Sequence, residues 1–257
     1  MTPAATIPSA PAPPRRWPRL LAVTFLCVSL AGCVACRVFH SGPYRVPETL
    51  PATKLLDIHV HTAGIGAGDS GCFISKQMES SWKLGIYLKS FGTTREELQQ
   101  KGDAHVVQLI SRQLSESRYV GQAILLAMDG VVDASGELDK SRTEIYVPNE
   151  FIAKETAKTT NLLFGASINP LRHDALARLD WAVTNGARLV KWIPSIMQFD
   201  PADERLTPFY RKLVELKLPL LTHAGQERSF TSARDELCDP QRLHVPLKLG
   251  VTVIWLT

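Results

Sequence analysis

From Leu55 onward the chain alternates short, continuous apolar runs with longer stretches whose apolar residues recur at helical spacing. The runs are Leu55-Leu56-Asp57-Ile58, Ala123-Ile124-Leu125-Leu126-Ala127, Leu162-Leu163-Phe164-Gly165-Ala166, Arg188-Leu189-Val190, Leu218-Pro219-Leu220-Leu221 and Val251-Thr252-Val253-Ile254. Runs without a polar face fit strands covered on both sides, as a parallel sheet demands. Helix signals fall between them. Thr93 and Thr94 precede Glu96 and Glu97, a doubled capping pattern that predicts a helix running to about Ser117. Leu176, Leu179 and Val183 share a helical stripe that Asn185-Gly186 ends. Thr207-Pro208 and Asp239-Pro240 each read as an N-cap followed by the first helical residue.

The last three runs lie about thirty residues apart, the period of a strand–helix–strand unit. The fold class is therefore α/β, as a doubly wound sheet or a (β/α) barrel. No Gly-rich phosphate loop follows the first strand, which argues against a dinucleotide fold.

The N-terminal segment has a different character. Residues 1–14 are rich in Pro and Ala; Arg15, Arg16 and Arg19 follow, then an apolar run from Leu20 to Leu30. That order is the signature of a secretory signal, and the run is too short to cross a bilayer core needing about 20 residues. Leu30-Ala31-Gly32-Cys33 is similar to a bacterial lipobox, in which the cysteine is acylated before cleavage ahead of it. The plain alternative is an ordinary signal or uncleaved anchor with a chance cysteine. The division expected is a lipoprotein signal over 1–33, a proline-bearing tether over 34–54 and a partial barrel domain over 55–257. This places the protein in a bacterial cell envelope, anchored in the membrane by lipid.

Lys and Arg number 29 against 25 Asp and Glu, and no later block concentrates the positive charge, so no nucleic-acid partner is expected. Five cysteines, without zinc-finger spacing, leave Cys72 and Cys238 as two separate thiols rather than a disulfide.

The chemistry sits where strands end. His59 and His61 follow the first run in Asp57-Ile58-His59-Val60-His61, and residues i and i+2 of a strand project to one side. Neutral imidazole is a good zinc ligand, and barrel active sites lie at the C-terminal ends of the strands. His223 stands past another run, in Leu220-Leu221-Thr222-His223-Ala224-Gly225, and Lys191 emerges from Arg188-Leu189-Val190. A lysine among such apolar neighbours is costly unless it is paired or modified. Asp129, Asp133, Asn169, Arg172 and Glu227 also follow strands but read better as loop residues or caps. His105, His173 and His244 fall in helical patterns, and His40 in the tether.

Taken together, the Asp57–His61, Val190–Pro194 and Leu220–Gly225 segments resemble the first-, fourth- and fifth-strand motifs of the amidohydrolase superfamily, in its family 2 group. The likeness covers about residues 55–257. It implies a TIM-like (β/α)8 barrel and a divalent metal, most often zinc, held by His59, His61 and His223. Lys191 would bridge two metals only if carboxylated. It also implies a small-molecule substrate whose C–N, ester or lactone bond is cleaved by metal-activated water. Members of the group continue with a histidine after the sixth strand and a catalytic aspartate after the eighth. Here the sixth run passes into Trp255-Leu256-Thr257, so the expectation is a C-terminally truncated barrel with about six of eight strand–helix units and no assignable catalytic aspartate. Two other readings stand beside it: a metal-dependent decarboxylase of the same superfamily, and an inactive, membrane-tethered remnant or binding lipoprotein.

Expressed in a bacterium with labelled fatty acid, the protein should fractionate with membranes and carry label that Cys33→Ser removes. A soluble, unlabelled product would sink the lipobox reading.

Overall fold

The computed structural model describes residues 54–256, so the export signal, the tether up to residue 53, Cys27, Cys33, Cys36 and His40 lie outside the described residues. In chain order the elements are β1 (Leu55–His61), β2 (Phe73–Ile74), α1 (Lys76–Glu79), α2 (Trp82–Ser90), α3 (Arg95–Lys101), α4 (Ala104–Glu116), β3 (Val120–Leu126), β4 (Ile145–Tyr146), α5 (Asn149–Thr156), β5 (Leu162–Gly165), α6 (Ala175–Thr184), β6 (Val190–Trp192), α7 (Pro194–Met197), α8 (Thr207–Glu215), β7 (Leu220–His223), α9 (His244–Lys248) and β8 (Val253–Leu256). Strands β1, β3 and β5 pair in parallel, as do β6, β7 and β8. A parallel bridge between Ala166 and Val190 links the two sets, giving the order β1-β3-β5-β6-β7-β8. Strands β2 and β4 form a small antiparallel ribbon apart from it. The fold is an incomplete (β/α)8 barrel: six parallel strands in sequence order, with β1 and β8 each paired on one side among the described residues.

Alternate residues along these strands enter two different cores. Ile124, Leu126, Leu189 and Leu221 cluster inside the sheet, with Ile58, Leu163, Ile254 and Leu256 against them. Ala123, Leu125, Leu162, Phe164, Val190, Trp192 and Leu220 face outward, where Leu179 of α6 and Phe209, Tyr210 and Leu213 of α8 cover them. Gly165 belongs to the inner layer, and a Cβ there would come within 2.7 Å of Leu126 and Ile124 side-chain carbons, so the layer closes only over glycine. Trp192 anchors the outer layer: its indole N–H donates to the Ile168 carbonyl at 2.7 Å, and its ring packs on Phe199, Phe209 and Tyr210.

Some local expectations needed correction. The helix expected from Thr94 to Ser117 is two helices, α3 and α4, broken at Gly102, whose φ of +79° an L side chain rarely adopts. The break has a cause. The Asp103 carboxylate, fully buried, accepts hydrogen bonds from Ile65 N–H, Gly66 N–H and the Ser70 hydroxyl, so it staples the loop after β1 to the start of α4. Thr207 is the first residue of α8 rather than its cap, and its hydroxyl donates to the Glu204 carbonyl. Of the α6 stripe only Leu179 is buried, while Leu176 and Val183 are exposed.

A second buried carboxylate ties the strand ends together. Asp129, past β3, forms a two-pronged pair with Arg172 at 2.5 and 2.7 Å, and both side chains are 3% exposed. Asp129 also accepts from Gly130 N–H and Asn169 N–H. Removing one partner of such a pair leaves a buried charge alone. Arg172→Met should therefore cost about 3–5 kcal/mol of stability, read as a lower urea midpoint. An unchanged midpoint would mean that Asp129 is solvated after all.

Candidate metal centre

Strand β1 brings its histidines together through an irregularity. Asp57 pairs with Ala123 and Val60 with Leu125, so three steps on β1 face two on β3. Ile58 packs into the inner core and Val60 into the outer one, which strict alternation would forbid. A β-bulge of this kind re-aims side chains, and here it turns His59 and His61 to the same point. Their Nε2 atoms are 3.0 Å apart, with the rings edge to face. The Asp57 carboxylate holds the bulge by accepting the His59 backbone N–H at 2.9 Å.

Both imidazoles are held neutral. Burial pushes the His59 pKa down to about 4 and that of His61 to about 3, and in each case the Lys191 ammonium adds to the effect. Lys191 lies on β6 between the outward-facing Val190 and Trp192, and so points inward; it is 2% exposed. Burial brings its own pKa down to about 8, opposed chiefly by the negative field of Glu227. His223, at the end of β7, has the inward parity of Leu221 and lies close enough to act on both His59 and His61. Its Nε2 is buried and has no hydrogen-bond partner among the described residues.

The sequence candidates thus reach one rim, but they are not equally close. His59 and His61 form a contacting pair. Among the described residues no three His, Cys, Asp or Glu side chains stand within common ligating reach, so His223 is a neighbour of the pair rather than part of a closed triad. The donor set still fits a divalent ion. Tetrahedral zinc, with bonds of about 2.0–2.1 Å, holds two imidazole nitrogens about 3.3 Å apart, close to the separation seen. The facing Nε2 atoms are the ones a shared ion would take, while His61 Nδ1 is buried without a partner among the described residues, so the outer acceptor that usually steadies a ligating histidine is not seen there.

Most of the lesser candidates lie elsewhere. Asp129, Asn169 and Arg172 are absorbed in the buried network, and Asp133 folds its own turn with Ser135 and Glu137. His105 sits beside Lys101, His173 beside Glu137, and His244 over the Gln241 carbonyl. Cys72 and Cys238 are free, buried thiols. Glu227 is the exception. It joins His61 in lining a cleft of about 270 Å³ walled by apolar side chains such as Phe91, Met128, Ile145, Ile193 and Phe230. Its Oε2 is 4.0 Å from His223 Nε2. In the sequence it is one more acid in a loop; only its place four residues past His223 could have flagged it.

No family model and no curated protein matches the sequence. Among solved structures the chain is similar to an uncharacterized TIM-barrel protein from Bordetella bronchiseptica, at 14% identity and a TM-score of 0.50 over 78% of this chain and 66% of that one. Similarity extends to the Metarhizium anisopliae IDCase in apo form, at 12% identity and a TM-score of 0.45 over 79% of this chain and 65% of that one. It extends also to a 5-carboxyvanillate decarboxylase from Novosphingobium aromaticivorans with bound manganese, at 16% identity and a TM-score of 0.39 over 78% of this chain and 57% of that one. The first likeness establishes the TIM-barrel fold. The chain spans less than two thirds of the length of each of these proteins.

The lowered histidine pKa values carry a pH signature for metal-free protein. Unfolded, each imidazole returns to about 6.5 and binds a proton that the folded state refuses, so stability rises with pH across that window. The metal-free chain should lose stability as pH falls from about 6.5 through 4. In proton-resolved NMR, His59 and His61 should stay neutral at pH 5.5; a midpoint near 6.5 for either would contradict the buried pair.

Proposed function

We propose that the chain carries the metal-binding half of an amidohydrolase-like enzyme, which cleaves a C–N, ester or lactone bond in a small molecule at the cell-envelope surface, tethered through Cys33. The observation that carries this reading is the contacting pair of neutral imidazoles at the C-terminal end of the first core strand. His59, His61 and His223 would hold the ion, with zinc favoured by an imidazole-rich donor set. When bound, such an ion polarises a carbonyl and makes water a nucleophile near neutral pH.

The chain's own residues supply the rest. Burial, with the Lys191 ammonium adding to it, keeps the two imidazoles unprotonated, so that their lone pairs are available at pH 7. The apolar walls of the cleft would exclude water from a substrate body, and His61 and Glu227 are the ionisable groups that line it beside the hydroxyls of Thr62, Tyr87, Ser90 and Ser229. No described residue is assigned the proton-handling role that an aspartate has in the resembling family.

Equilibrium dialysis with zinc, followed by metal analysis, tests the reading. The protein should retain about one equivalent. His59→Ala with His61→Ala should weaken retention by more than the 10–100-fold or so that loss of an outer partner costs. The metal-loaded protein should then be assayed on esters, lactones, amides and carboxylic acids. Release of carbon dioxide without hydrolysis would replace the hydrolase reading by a decarboxylase. Equal retention by the double variant would remove the metal centre itself.

A further inference from the structure

Glu227 is placed as a ligand would be, on a loop that nothing in the family resemblance assigns. Its side chain is 11% exposed and it is the carboxylate that shares the cleft with His61. The two oxygens have different surroundings. Oε1 accepts the Ser229 backbone N–H at 2.8 Å, while Oε2 faces His223 Nε2, the buried nitrogen that lacks a partner. The backbone under it is fixed too, since Glu227 N–H donates to the Asp235 carboxylate at 2.9 Å. One oxygen tied to an outer donor and one left free is how a protein orients a ligating carboxylate.

Electrostatics favours the same assignment. The field of Glu227 reaches the Lys191 ammonium, whose own field reaches His59 and His61, so the carboxylate brings negative charge to the same rim. A dication arriving among imidazoles and an ammonium needs a carboxylate to offset repulsion in a place with little water. Among the residues lining the cleft, Glu227 is the one that can do so.

Resting on the metal reading above, we infer that Glu227 is the carboxylate ligand of this centre, through Oε2, completing a set with His59, His61 and His223. A divalent cation bound there would draw the His59–His61 pair and the His223–Glu227 pair together, closing a cluster that the metal-free side chains leave open.

The test is binding rather than turnover. Zinc and cobalt(II) would be titrated into the full chain, its Glu227→Gln and Glu227→Asp variants, and His59→Ala, with circular dichroism confirming that each is folded. Gln keeps the size and loses the charge. It should weaken zinc at least about tenfold and change the cobalt visible spectrum, while Asp retains part of the affinity. Wild-type affinity and an unchanged cobalt spectrum in Glu227→Gln would overturn the inference even though metal still binds through the histidines. Absence of zinc binding in the wild type, or binding that His59→Ala leaves intact, would overturn the metal reading on which it rests. If Glu227→Gln does not fold, Glu227→Asp decides: a cobalt spectrum and zinc affinity identical to wild type would count against a first-contact carboxylate at this reach, and a shift in both would support it.

Discussion

Every core strand of this protein has to satisfy two environments in alternate residues, and most of the architecture follows from that. One set of side chains meets the helices; the other meets the interior of the curved sheet. Toward the C-terminal ends the inward positions stop being apolar: Leu189 gives way to Lys191, Leu221 to His223, and Ile58 to His59 and His61. The polar groups therefore do not compete with the core. They occupy the positions that the same periodicity sends inward once the strand has passed the packed layer. The pairing of β1 with β3 shifts register twice, at Leu55/Leu56 and again between Asp57 and Val60, and the second shift falls where two imidazoles share a point.

The loops that carry the strand ends are fixed by carboxylates lying outside the site. Asp103 gathers the N–H groups of Ile65 and Gly66 and the Ser70 hydroxyl, holding the chain that leaves His61. Asp129, with Arg172 and Asn169, joins the ends of β3 and β5. Each is a charge taken out of water, stabilising only because every nearby donor is aimed at it, so loss of a partner is more damaging than loss of an ordinary hydrogen bond. The rigidity of the rim is thus set by side chains that never face the cleft.

These features were not equally legible in the sequence. The six strands and their order could be read from unbroken apolar runs, although burial on both faces holds for the inner strands and not for β1 or β8, where Leu55, Leu56 and Trp255 are exposed; His59, His61, Lys191 and His223 stood out because polar residues closing such runs are conspicuous. The roles of Asp103, Asp129 and Glu227 were hidden, because a buried acid and a solvated one look alike until their donors are known, and for Asp103 and Asp129 most of those donors lie some 33 to 43 residues away. The helix broken at Gly102 was misread for a related reason. Local capping signals pointed to one long helix, while the staple that breaks it comes from residues 65–70. The bulge was equally invisible, since the histidine pair reads the same with or without it.

Lys191 is the group whose burial most needs an explanation. A lysine 2% exposed, with no carboxylate within 4.0 Å of its ammonium among the described residues, holds a charge in a place that disfavours it, and its pKa drops to about 8 as a result. Replacing it by an apolar residue would relieve that penalty, so packing alone does not account for a lysine here. Its field acts on the histidines instead, helping to keep both unprotonated. A dication at those histidines would in turn repel the ammonium and push the proton off it, in the sense burial has already begun. The two effects are reciprocal: the charge that readies the imidazoles for a metal is the charge a metal would remove, leaving a neutral amine beside the proposed centre.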